Sequence, residues 1–231
     1  MRKLRLIVVA LILLAMNINA KADNYVKREM RSVWLTTVWS LDWPSTTGTS
    51  AYVATSQKNE MIEYLDQLKN DGFNAVFFQV RSMADAFYKS SYEPWSSYLT
   101  GTRGATPSYD PLAFVVEECH KRGLECHAWV NPYRYSTGDS WSTTQDRNLS
   151  SNGWLLSYTS SSDNNGTKST TTIFNPGIDA ARQRIIDVCS EIVNNYDVDG
   201  LVFDDYFYPN GIPENSTAGD YNIYKNSGYK L

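Results

Sequence analysis

Two adjacent carboxylates, Asp204 and Asp205, follow the run Asp199-Gly200-Leu201-Val202-Phe203 and precede Tyr206-Phe207-Tyr208-Pro209. Leu-Val-Phe suits a short strand buried on both faces, as in a parallel sheet. Pro209 cannot continue a central strand, so the strand ends before it. Acids at the carboxyl end of a parallel strand stand where α/β proteins place their chemistry. Strand alternation sends the two side chains to opposite sides, so at most one points straight into a cleft. The competing reading is that both acids only cap the loop that follows.

Three earlier strand ends carry groups of compatible chemistry: Trp39, Asp42 and Trp43 after the first, Gln79, Arg81 and Asp85 after the second, and Asn131 and Arg134 after the third. With Asp204, Asp205 and Tyr206 they would meet on one rim. Planar amides, guanidinium groups and carboxylates satisfy hydroxyls, while indole faces cover the apolar side of a sugar ring. A polyhydroxylated ligand is therefore expected, with Trp39, Trp43, Gln79, Arg81, Asp85, Asn131, Arg134 and Tyr206 as binding residues. Glycosidic cleavage needs two carboxyl groups, one acid and one nucleophile or base. Several of these residues have a structural alternative: Arg81 as the partner of Asp85 or another acid, Trp34 and His127 as core, and His120 as surface.

The elements that must position these groups alternate. Strands are expected at 31–38, 74–80, 124–130 and 199–203, each rich in β-formers. Helices are expected at about 56–70, from Asp110-Pro111 to Gly123, and at about 178–195. Asp110 is a cap and Pro111 a first helical residue. Gly72 and Gly123 supply left-handed helix ends. Apolar faces recur at helical spacing: Met61, Leu65 and Leu68; Leu112, Val115, Val116 and Cys119; Ala181, Ile185, Val188 and Ile192. The stretch at about 136–172 is rich in Ser, Thr, Asn and Gly and reads as a long surface excursion. Helix-to-strand joints are short and strand-to-helix connections long and polar, the asymmetry of a (β/α)8 barrel, whose active site lies on the long-loop side.

Other chemistries are excluded by what the sequence lacks. The net charge of −4 and the absence of a basic stripe argue against a nucleic-acid partner. No Gly-x-Gly-x-x-Gly or phosphate-binding loop opens a helix, which removes dinucleotides and nucleoside triphosphates. With two His and no metal-ligand spacing, a zinc hydrolase is excluded, and no Gly-x-Ser-x-Gly marks an esterase. No cofactor and no metal are expected. The three cysteines, Cys119, Cys126 and Cys189, read as small core residues rather than a disulfide framework.

The matching segments Phe77-Phe78-Gln79-Val80-Arg81, Asp85-Ala86-Phe87-Tyr88, Tyr109-Asp110-Pro111-Leu112, His127-Ala128-Trp129-Val130-Asn131-Pro132-Tyr133-Arg134, Asn175-Pro176-Gly177 and Phe203-Asp204-Asp205-Tyr206-Phe207-Tyr208-Pro209 resemble, in unbroken order, the glycosyl-hydrolase-like family 10. The resemblance implies an α/β fold of the (β/α)8 type and a glycosidase exported by bacteria or lipid-anchored, acting on peptidoglycan glycan strands. It implies a catalytic Asp at the end of the fourth strand, Asp204 or Asp205. The Phe-Asp ending resembles the nucleophile strand of barrel α-glycosidases and favours Asp204. A chitinase pattern is disfavoured, because Tyr206 stands where that family places its acid Glu. Members continue through the rest of the barrel, so residues 23–231 are expected to be the first four β/α units of a truncated half barrel. The second carboxyl group is expected beyond Leu231, with the 231 residues alone poorly stable and silent. The alternative is a glycan-binding module that does not turn over.

Residues 1–22 read as a signal peptide: Arg2, Lys3 and Arg5, an apolar stretch from Leu6 to Met16, then Ala20 and Ala22. The stretch is too short to span a bilayer, so no stable membrane insertion is expected after cleavage. Cleavage after Ala20 would leave a net charge of −7, since three cations and no acid are lost. A periplasmic or extracellular product is expected. Fractionation of expressing cells with N-terminal sequencing checks this: the mature chain should begin near Lys21 or Asp23, and a cytoplasmic chain starting at Met1 would refute it.

Overall fold

A computed structural model of the protein describes residues 29–136, 152–159 and 170–205. The expected signal peptide, Tyr206 and the polar tail after it lie outside these residues. The chain divides into two compact units, 1–30 and 31–231, and only Glu29 and Met30 of the first are described.

In chain order the second unit has β1 (Ser32–Leu35), a 3-10 turn (Val38–Ser40), α1 (Ala51–Asn70), β2 (Ala75–Arg81), the single turn α2 (Ser97–Thr100) and α3 (Pro111–Lys121). It continues through β3 (Glu125–Val130), β4 (Arg134–Ser136), β5 (Leu155–Thr159), β6 (Thr170–Phe174), α4 (Asp179–Asn195) and β7 (Gly200–Phe203). Four parallel strands make the main sheet in the order β1-β2-β3-β7. The fold is α/β, and the four expected strands and three expected helices are all present.

The capping residues set the helix limits. Asp110 Oδ1 accepts from Ala113 N at 3.1 Å, with Pro111 at the first helical position. Gly72 and Gly123 adopt φ of 82° and 65°, the left-handed region that a side chain resists. The first helix starts five residues earlier than expected, at Ala51, because Ser50 Oγ accepts from Val53 N at 3.2 Å. Ala54 and Gln57 are buried there, so the apolar stripe extends upstream through a segment whose Thr, Ser and exposed Tyr52 obscure it.

One face of the sheet meets the helices. Val76, Phe78 and Val80 of β2 and Cys126, Ala128 and Val130 of β3 pack with Met61, Leu65, Leu112, Val115, Val188 and Ile192. Met61 and Leu65 are wholly buried, each contributing about 1.5–3 kcal/mol of transfer free energy. Cys119 and Cys126 belong to this core, and the Cys119 thiol, together with burial, pushes the Cys126 thiol up from its usual range.

The opposite face carries Trp34, Phe77, His127 and Trp129. Trp34 meets Phe77 and Trp129 edge-on at 4.7 and 4.9 Å, and Phe77 meets His127 at 5.2 Å. Trp34 is therefore not part of the helix-side core; it is 43% exposed on this second face. His120, expected at the surface, binds Asp199 at 2.9 Å. Burial opposes ionisation of Asp199, but the Cys126 N–H at 2.7 Å and His120 hold its carboxyl below the usual range.

The Ser/Thr-rich excursion contains structure that composition hides. β4, β6 and β5 form a three-stranded antiparallel sheet. Thr is a β-former as well as a loop residue, and the run Thr170-Thr171-Thr172-Ile173-Phe174 is a strand. Hydroxyls pair across it, Ser157 with Thr172 at 2.7 Å and Thr159 with Thr170 at 2.9 Å. Phe174 and Tyr135 anchor it to Ala84, Ala181 and Ile185 in a second small core.

On the helix side of β7, Leu201 and Phe203 line an apolar groove of about 410 Å³ with Ile186, Cys189 and Val193 of α4. Phe203, Ile186 and Val193 are exposed there. Gly200 is fixed by packing: a Cβ at this position would lie 2.5 Å from His127 Nδ1 on the neighbouring strand. Gly200→Ala should cost about 1–3 kcal/mol by forcing the ring aside. Urea unfolding checks it, and adding His127→Ala should recover part of the loss.

Candidate active site

Backbone strain gathers on one side of the sheet. Among the described residues the non-glycine residues with positive φ are Trp39 (55°) and Ser40 (51°) after β1, Ala84 (44°) after β2 and Asp205 (54°) after β7. All follow the carboxyl end of a strand. Gly72 and Gly123 make the joints at the other end without this strain. Residues in sparsely populated conformations persist only where their surroundings hold them, and they cluster at functional sites.

After β1, the backbone turns over a buried amide. Gln79 Oε1 accepts from Thr37 N and Val38 N, both at 2.9 Å, and Thr37 Oγ1 donates to the Gln79 carbonyl at 3.0 Å. Asp42 Oδ2 accepts from Thr36 N at 2.8 Å. The turn presents Trp39, 55% exposed, as a free indole face. Trp43 does the opposite. It is wholly buried between Phe78 and Phe87, its Nε1 donating to the Gln57 carbonyl at 3.0 Å. The expectation that Trp43 meets a ligand is corrected: its apolar faces are needed by the core.

After β2, a register shift decides where Arg81 goes. Gln79 lies opposite Trp129, yet Arg81 lies opposite Val130, so Val80 is the extra residue of a bulge. Val130 faces the helices, and Arg81 is turned to that side with it. Its Nη1 donates to the carbonyls of Asn131 and Pro132 at 2.6 and 3.1 Å, and Nη2 pairs with Glu93 at 3.1 Å. Its guanidinium lies 5.6 Å from the Phe174 ring centre. Arg81 is fully buried and ties loops to the sheet, so its expected role toward ligand is corrected; the acid that pairs with it is Glu93, not Asp85. Asp85 is also buried, and its Oδ1 accepts from Met83 N at 2.9 Å and Ser82 Oγ at 3.2 Å, closing the strained turn at Ala84. It too is a frame residue. Arg103 clamps the same turn by donating to the carbonyls of Met83 and Ala84 at 3.3 and 2.8 Å.

After β3, Asn131 is 2% exposed and its N–H bonds the Arg81 carbonyl at 2.9 Å. Its Oδ1 accepts from Gln79 Nε2 at 3.3 Å. Gln79, 1% exposed with both ends of its amide engaged, is thereby corrected from ligand contact to frame. Arg134, partly exposed, pairs through Nε with Asp205. Tyr98, which nothing in the sequence singled out, lies near Asp85 and Arg134. Burial first and then Asp85 keep its hydroxyl protonated beyond the usual range.

After β7, the two acids differ. Leu201 and Phe203 face the helix-side groove, so Gly200, Val202 and Asp204 belong to the Trp129 side. Asp204 N donates to the Val130 carbonyl at 3.2 Å, continuing the ladder by one residue. No ion pair or hydrogen bond engages the Asp204 carboxylate among the described residues, whereas Asp205 is neutralised by Arg134. Tyr206 lies outside the described residues. Trp39, Arg134, Asp204 and Asp205 thus share the rim, while the buried Trp43, Gln79, Arg81, Asp85 and Asn131 support it, so the expected ligand contact by Asn131 is corrected as well.

The profile of the glycosyl hydrolase-like 10 family matches residues 29–230, nearly all of the chain after its first segment. The chain belongs to the glycosyl hydrolase-like 10 family. Within glycosyl hydrolase-like 10, it is 43% identical over 194 residues to the glycosyl hydrolase YngK of Bacillus subtilis, covering 83% of this chain and 35% of that one. It is 40% identical over 184 residues to the glycosyl hydrolase DigH of Escherichia coli, covering 78% and 42%. The chain therefore spans well under half the length of these relatives. A maltogenic α-amylase from Thermotoga neapolitana matches at 15% identity and a TM-score of 0.45, over 84% of this chain and 41% of that one, a likeness too slight to argue from.

Because Arg81 is buried, removing its counter-charge should be costly. Glu93→Ala is expected to destabilise by about 3–5 kcal/mol, while Trp39→Ala at the exposed rim should stay within about 0.5 kcal/mol of the parent. Denaturant unfolding of both variants compares them directly.

Proposed function

We propose that this chain is the part of a glycoside hydrolase that carries its fourth-strand carboxylate, and that the substrate is a bacterial cell-wall polysaccharide, the glycan strands of peptidoglycan. The observation that carries the reading is the contrast between the two acids: Asp204 is unneutralised on the Trp129 side of the sheet, and Asp205 is held by Arg134. A carboxylate free of a counter-ion keeps its full basicity as nucleophile or base, whereas pairing with a guanidinium lowers it. Trp39 offers a stacking face at the same rim.

In this reading the four strands are the first half of a (β/α)8 barrel. The second carboxyl group, needed as proton donor, stands on a later strand. The sheet face bearing Trp34 and Trp129 becomes barrel interior, and the groove beside Phe203 takes the helix that follows β7. The protein works outside the cytoplasm, in the periplasm or beyond the cell, without a cofactor. The rival is a non-catalytic glycan-binding module on the same scaffold.

The test uses the full-length protein on purified glycan strands with and without peptide stems, comparing the parent with Asp204→Asn and Asp205→Asn. Asp204→Asn should lower kcat by 10³-fold or more, on the order of what loss of a nucleophile costs, while still binding glycan. Asp205→Asn should lose less. Equal turnover by the parent and Asp204→Asn would refute the assignment. A parent that binds strands and releases no sugar would establish the rival.

A further inference from the structure

The loop after β2 closes on the single turn α2, and α2 is seated without help from the Tyr98 hydroxyl. Ser96 N donates to the Ala86 carbonyl at 3.0 Å, and Ala86 pairs with Trp95 as an isolated parallel bridge. The Leu99 carbonyl accepts from Gly48 N at 3.2 Å and from Gln57 Nε2 at 3.0 Å, which ties the turn to the start of α1. Ser96, Leu99 and Thr100 are buried by this seating. α2 also packs against the Val38–Ser40 turn that presents Trp39.

Tyr98 packs its ring, partly buried, against the main core, and its backbone N–H is met by Ser96 Oγ at 3.2 Å. Among the described residues its hydroxyl makes no hydrogen bond. It is not enclosed either, because the buried side-chain atoms left without a partner are Arg81 Nε, the Tyr88 hydroxyl and Trp129 Nε1. A phenol that packs its ring and leaves its O–H open keeps its polar end in water. Two charges fix where that end stands: Asp85, which caps the Ala84 turn, and Arg134 both act on it. Arg134 engages Asp205 through Nε, and its two terminal nitrogens have no partner among the described residues. Tyr98 therefore stands between the Trp39 turn and the Arg134–Asp205 pair.

We propose that Tyr98 is a ligand-binding residue of the rim, whose hydroxyl donates to an uncharged acceptor oxygen of the saccharide beside the free end of Arg134 and the indole face of Trp39. This rests on the reading of the rim as a glycan site. Burial and Asp85 hold the phenol protonated, so it remains a donor where an ordinary tyrosine begins to ionise. Asp85, Asp204 and Asp205 outnumber Arg134 in this part of the rim, which disfavours a carboxylate as the acceptor and suits a hydroxyl or carbonyl oxygen.

The test uses the full-length protein carrying Asp204→Asn, so that binding is measured without turnover, with purified glycan strands freed of peptide stems as the probe. Adding Tyr98→Phe, which keeps the ring and removes only the O–H, should weaken binding about three- to tenfold, the order of one hydrogen bond to an uncharged oxygen. In the parent with Asp204 intact, the same substitution should raise KM by a similar factor and change kcat less, the pattern of a contact made alike in ground and transition states. The midpoint of urea unfolding should stay where it is, since the hydroxyl bonds no described residue. Unchanged affinity in Tyr98→Phe, or a loss of affinity that comes with a lowered unfolding midpoint, would overturn the inference. A parent that binds strands, releases no sugar and loses affinity on Tyr98→Phe would uphold this inference and refute the glycosidase reading. A parent that binds no strands would overturn both.

Discussion

The buried pair between Arg81 and Glu93 is the constraint on which the rest of the rim depends. A guanidinium with no exposure must have its charge met and its donors placed, or it costs several kcal/mol. Glu93 meets the charge through Nη2, and the carbonyls of Asn131 and Pro132 take Nη1, while Nε is left without a partner among the described residues. One side chain of β2 thus holds the end of β3, the loop carrying Glu93 and, through the Phe174 ring, the small antiparallel sheet. The bulge at Val80 makes this possible, because without it Arg81 would point to the opposite face. The polar groups of β2 are in this way turned inward on the protein. That leaves the open part of the rim to Trp39, Arg134, Asp204 and Asp205.

The two ends of the sheet are built by different rules. At the ends where strands begin, glycines make tight joints and Asp199 is fixed by a backbone N–H and His120. At the ends where strands finish, non-glycine residues are held in the left-handed region by the hydrogen bonds and packing around them. Ala84 is held by Arg103 and the Asp85 cap; Asp205 is held by Arg134. Strain of this kind gives each rim residue one conformation rather than several, which suits a site that must present a carboxylate and an aromatic face in fixed relation.

The elements that position the site were legible in the sequence because their signals are local. Periodic apolar residues, Asp110-Pro111 and the two helix-ending glycines specify α3, α4 and the joints without reference to anything distant. The split among site residues was not legible. Trp39 and Trp43 are four residues apart in one polar loop, and nothing local tells that one is exposed and the other enclosed by Phe78 and Phe87. Arg81 reads as a rim residue by strand alternation, and a single bulge, set by tertiary packing, reverses it. Glu93 lies twelve residues beyond Arg81 in a loop without periodicity, so its pairing appears only in three dimensions. The hairpin at β5 and β6 was hidden because Ser and Thr serve both loops and strands.

The aromatic face of the sheet has a consequence in optics. Trp34 and Trp129 lie 4.9 Å apart with ring planes at 89°, close enough for their excited states to couple. Such a pair gives a signature in near-ultraviolet circular dichroism that isolated indoles lack. Trp34 is half open to water while Trp129 is nearly enclosed, so the emission wavelength of the pair is set largely by what lies against Trp34. The chain carries its own chromophore on this face of the sheet, reporting without a label whether that face is wet or covered.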